Sequence, residues 1–139
     1  MGQFVRDPEH WLHRLSPDEW IRAALAEVKR AETAYARGDT RGGAASVKRA
    51  AGMGLNGALI VEPEERWGRS FVDHVQALST DATVPEAVRA ACRVVLGAGG
   101  PGGEVVVLRT PRTGEAQLEA ARDVIAHAWT VVRRHDESD

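Results

Sequence analysis

A chain of 139 residues, 43% apolar and 27% charged, can bury one core, and a net charge of −2 argues against a strongly basic nucleic-acid-binding domain. The single cysteine, Cys92, rules out an internal disulfide and points to a reducing, cytoplasmic setting. No apolar run reaches the roughly 18 residues of a membrane span, and the acids in MGQFVRDPEHW break any signal-peptide core.

In chain order, Asp7-Pro8 predicts a short N-terminal helix that ends near Leu15, because Asp caps and Pro fits a first helical position. Ser16-Pro17-Asp18-Glu19 has the spacing of a capping box and opens a second helix. Its expected buried face is Trp20, Ile21, Ala24, Leu25, Val28, Ala31 and Tyr35, and Gly38 is its natural stop. Asp39-Thr40 starts a helix to about Val61, ended by Glu62-Pro63. There Ala44, Val47, Ala51, Leu55, Ala58 and Leu59 keep helical period against five glycines, which implies that another backbone comes close.

Glu64 to Ser79 carries Trp67, Phe71, Val75 and Leu78 at helical steps. Thr83-Val84-Pro85-Glu86 predicts a second capping box and a helix through Val88, Ala91, Cys92, Val95 and Leu96, stopped by Gly97. Gly97 to Gly103 reads as a loop, Glu104 to Leu108 as a short extended segment, and Thr113 to His135 as the longest helix. The last helix has a stripe of Leu118, Ala121, Ile125, Ala128, Trp129 and Val132, and Asp136 to Asp139 should fray. The expected fold is a single all-α domain over 1–139, an up-and-down bundle of four to five helices with a short extended segment before the last.

Few patterns carry chemistry. Gly97-Ala98-Gly99-Gly100-Pro101-Gly102 matches GxGxxG literally, but a helix precedes it and an extended run follows, the reverse of a dinucleotide site. His10 and His13 have a spacing that could hold a metal from one helix face, yet no further His or Cys supports them, so a solvated turn is expected. Trp11, Trp20, Trp67 and Trp129 are expected in the core. No metal or cofactor site is expected.

The remaining pattern is Arg122-Asp123-Val124-Ile125-Ala126-His127 on the last helix. Arg69/His74 and Arg6/His13 have related spacings, but only Arg122/His127 combines the final helix with Asp in second place. This order, together with Val47-Lys48-Arg49-Ala50-Ala51 leading to Leu55-Asn56-Gly57-Ala58-Leu59-Ile60, resembles the HEPN superfamily over roughly Ser16 to His135. The resemblance implies a metal-independent ribonuclease, often a toxin–antitoxin component, acting as a homodimer. His127 would be the acid/base, Arg122 the phosphate clamp and Asp123 the residue that orients His127. Some branches lack the active motif, so the resemblance also implies a second class, a non-catalytic module that binds a nucleotide or a partner such as a nucleotidyltransferase; a structural or interaction bundle outside that superfamily is the third reading. Asp123 and His127 are four apart and share a helix face, whereas Arg122 and His127 diverge by about 140°.

Overall fold

The computed structural model describes residues 5–97 and 114–137. The expected Gly97–Gly103 loop, apart from Gly97, and the extended segment before the last helix lie outside them. Among the described residues the chain forms five α-helices and no strand. They are α1 (Pro17–Ala36), α2 (Thr40–Val61), α3 (Phe71–Ser79), α4 (Glu86–Gly97) and α5 (Glu115–Glu137).

The Ser16–Glu19 capping box closes as its spacing implies. The Glu19 amide donates to the Ser16 hydroxyl at 3.2 Å, and the Ser16 amide donates to the Glu19 carboxylate at 2.8 Å. Upstream, two successive turns replace the expected helix, held by His10 N–H to Asp7 O and His13 N–H to His10 O, each 3.0 Å. The imidazoles compete for backbone donors here: Nδ1 of His13 accepts from Asp7 and Nδ1 of His10 from Leu12. The turns drop Leu12 into the core, and its carbonyl accepts from the Trp20 indole at 2.8 Å.

Helix α2 packs against each of the other four helices. Its small residues permit this, because Ala and Gly leave room for neighbouring backbones. A Cβ on Gly52 would sit 2.6 Å from the Cα of Phe71, and one on Gly57 would lie 2.9 Å from the carbonyl of Pro17. Contacts give the directions. Pro17 near Gly57 and Arg49 bonded to Glu27 make α1 antiparallel to α2. Ile125 against Gly54 and Arg134 bonded to Glu62 make α5 run with α2. Phe71 beside Gly52 and His74 bonded to Asn56 make α3 run with α2 as well.

One expected helix is split. A 3-10 turn, Glu65–Trp67, is followed by Gly68 at φ 68°, a left-handed conformation that ends it, and Ser70 then caps α3 by accepting from the Asp73 amide at 2.9 Å. Before α4 the predicted capping box does not close, because Asp81 captures Thr83. The Asp81 carboxylate accepts from both the amide and the hydroxyl of Thr83, while Glu86 pairs with Arg89 and Arg93.

Three expected core residues, Trp11, Leu25 and Trp129, are at the surface, two of them on helical stripes. Leu25 is 46% exposed and Trp129 38%, since both fall on the outer margin of otherwise buried stripes. On α5 the stripe is instead centred on Ala121, Val124, Ala128 and Val132. Of the four tryptophans only Trp20 is fully enclosed; Trp67 is half-buried and Trp11 is 36% exposed.

Candidate functional site

The Arg122-Asp123-x-x-x-His127 order sits on an unbroken stretch of α5, so helix geometry fixes its layout. Arg122 lies on the margin facing α1 and forms an ion pair with Glu32. Asp123 is exposed, and no hydrogen bond joins it to His127 among the described residues. His127 lies on the opposite margin, about 7.5 Å further along the axis from Arg122. Within one chain, then, the guanidinium and the imidazole do not meet.

His127 enters a cleft of about 640 Å³ instead. Ala58 and Glu62 from the end of α2, Leu78 from α3, and Val131 and Arg134 from α5 line it. The connections add Glu64, Arg66, Trp67, Asp81 and Val84. Burial lowers the His127 pKa and Arg134 lowers it further, against the opposing pull of Glu62 and Asp81. The imidazole is therefore neutral near pH 7.

The charges around it are organised by pairing. Glu62 accepts from Arg134 at 3.0 Å and His135 at 2.7 Å; burial acts to raise its pKa, but these bonds outweigh it and the net shift is downward. Glu64 takes two bonds from Arg66, at 3.0 and 3.1 Å, which hold its pKa down. Asp81 differs. Its pKa is lowered first by the Thr83 hydroxyl and amide; Arg66 and Arg89 assist from a distance, with no salt bridge to it among the described residues. Three acids thus face two arginines. The C-terminal ends of α2 and α3 also open here and add partial negative charge. The start of α4 adds some positive charge, offset by Glu86 in its first turn.

A second histidine escapes a reading based on sequence spacing. His74 is fully buried, 0% exposed, between Trp67 and Trp11. Its Nδ1 lies 3.0 Å from the Trp67 carbonyl, which can only accept, so the ring proton sits on Nδ1. Nε2, 2.8 Å from the Asn56 carboxamide, accepts from that amide once it is turned by 180°, a turn that leaves its outline unchanged. The hints in the sequence are that His74 keeps helical step with Trp67, Phe71 and Leu78, and that an Asn stands in the middle of an apolar helix face.

His10 and His13 stack at 4.2 Å between ring centroids, and no group of three or more metal-type ligands occurs among the described residues. No helix among them is long and apolar enough to cross a membrane. No family model matches the chain, and comparison with curated proteins and with solved structures also returns no match.

Proposed function

We propose that this chain is a HEPN-like helical module that binds a ligand rather than cutting RNA, with its site in the His127 cleft. The observation that carries this reading is the separation on α5: His127 lines a solvent-open cleft, while Arg122 is held by Glu32 on the other margin. The chemistry of the lining favours a small organic cation over a nucleotide phosphate. Asp81 supplies a carboxylate without a salt-bridged arginine, the Trp67 ring supplies a cation–π surface, and neutral His127 can accept a hydrogen bond. Leu78, Val84 and Val131 would take an apolar substituent. A phosphate would instead meet Glu62, Glu64 and Asp81.

Thermal-shift titration with benzylamine, putrescine and adenosine monophosphate tests the reading. The amines should raise Tm in a concentration-dependent way, and Asp81→Asn should abolish the rise. A shift with the nucleotide alone, or an amine shift that survives Asp81→Asn, would overturn it.

The ribonuclease reading is the second. It is favoured by the neutral, half-buried imidazole, which suits a general base, and it needs Arg122 of a second copy to reach the His127 of the first. The homodimer belongs to this reading, and a nucleotidyltransferase partner to the first. Incubation with mixed RNAs beside His127→Ala separates them: cleavage lost in the variant supports the nuclease, and no cleavage by either protein supports the binding module.

A further inference from the structure

Away from the cleft, the seam between α1 and α5 carries an apolar pair, Leu25 and Trp129, that the bundle leaves partly exposed. Two contacts fix the register of these helices. Gly114 packs on the Tyr35 ring and Arg122 pairs with Glu32, so ascending α5 means descending α1. Seven residues along a helix return to within about 20° of the same side. Leu25 lies seven residues before Glu32, and Trp129 seven after Arg122. Both therefore occupy the same outer edge of the seam, about 10 Å beyond the ion pair.

The flanks of this pair are basic. Exposed Arg22 and Lys29 stand one turn to either side of Leu25, and exposed Arg133 stands one turn beyond Trp129 with its guanidinium 5.4 Å from the ring centroid. Among the described residues the acids on this margin are Glu32, which is taken by Arg122, Asp18 two turns from Leu25, and Glu115 two turns before Arg122, at the end of the seam away from Trp129.

We propose that this seam is a docking groove for an acidic amphipathic helix of a partner protein, with Leu25 and Trp129 as its apolar contacts. A groove between two antiparallel helices matches a third helix in shape, and an apolar centre with basic rims complements a leucine stripe flanked by glutamates. A second copy of this chain fits poorly, since a two-fold axis here would set Arg22, Lys29 and Arg133 near their own counterparts. Single-stranded nucleic acid fits less well than a helix, because the guanidinium of Arg133 already covers a face of Trp129 that a base would need and Leu25 offers no ring.

Fluorescence anisotropy at low salt tests the groove. The probes are a labelled synthetic helix of about 18 residues with a leucine stripe and a glutamate surface, the same stripe on a lysine surface, and oligouridine. The glutamate helix should bind, and Leu25→Glu and Trp129→Ala should each weaken it by at least about tenfold. Both residues are exposed, so circular dichroism should confirm that each variant keeps the fold. The lysine helix and oligouridine should not bind. Absence of glutamate-helix binding, equal binding by both variants, preferential binding of oligouridine, or a dimer that Leu25→Glu converts to monomer would each overturn the proposal.

Discussion

Gly52 has Phe71 seated against it closely enough that any Cβ must displace the α3 backbone. Gly52→Ala gains up to about 1 kcal/mol of helix propensity but overpacks the contact by roughly 1–3 kcal/mol or more, so the denaturation midpoint should fall. Gly97→Ala, with nothing among the described residues within 4 Å of the new methyl group, should be tolerated and serves as the control. Glu27 is 3% exposed and is held by Arg30 at 3.1 Å and Arg49 at 2.5 Å. Arg49→Ala leaves that carboxylate with its more exposed partner alone and should cost roughly 1–3 kcal/mol in urea unfolding. Replacing both partners, Glu27→Leu with Arg49→Met, should recover most of the loss, because no buried charge then remains. Burial pushes the Cys92 thiol up to about 12, with Arg93 opposing. The thiol should therefore resist aromatic disulfide reagents in the folded protein and react at once in denaturant.

At the scale of single elements, position along the chain was easier to read than the side a residue faces. Ser16-x-x-Glu19 marks the start of α1 because both reciprocal bonds are local, and the Arg6 guanidinium, 3.4 Å from the same Glu19 oxygen, does not displace them. Thr83-x-x-Glu86 has the same spacing, but Asp81 two residues upstream captures Thr83, and the spacing alone does not reveal that competitor. The Glu64–Ser79 periodicity likewise hides the break at Gly68, since Trp67, Phe71 and Val75 keep step on either side of it. Gly68→Ala is expected to lose roughly 1–3 kcal/mol, because φ 68° with ψ −159° is a region essentially reserved for glycine and its Cβ would approach the Asp73 carboxylate at 2.8 Å. The misassigned faces, Leu25 and Trp129, share one cause. Helical period marks an apolar arc but does not say where a neighbouring helix stops covering it.

For the whole molecule, the helical class and the close approaches at α2 could be read from apolar period and glycine content. The cleft could not, because it joins Glu62, Leu78, Asp81 and His127 across four separate parts of the chain. The same assembly makes stability depend on pH. Burial holds the pKa values of His13, His74 and His127 below the ordinary value. Below about pH 6.5 the unfolded chain takes up protons that these folded sites refuse. Stability is thus fully present above that pH and declines as the pH falls toward the folded values. Urea midpoints measured from about pH 7.5 down to 5 should decrease, and His74→Gln should flatten the slope.

The makeup of α2 has one more effect. A helix whose enclosed surface is largely alanine and glycine has almost no rotamers to immobilise, whereas leucine or methionine would each give up freedom worth about 0.5–2 kcal/mol. The centre of this protein should accordingly be its most uniformly ordered part, and amide exchange should be slowest there and faster toward the arginine-rich margins.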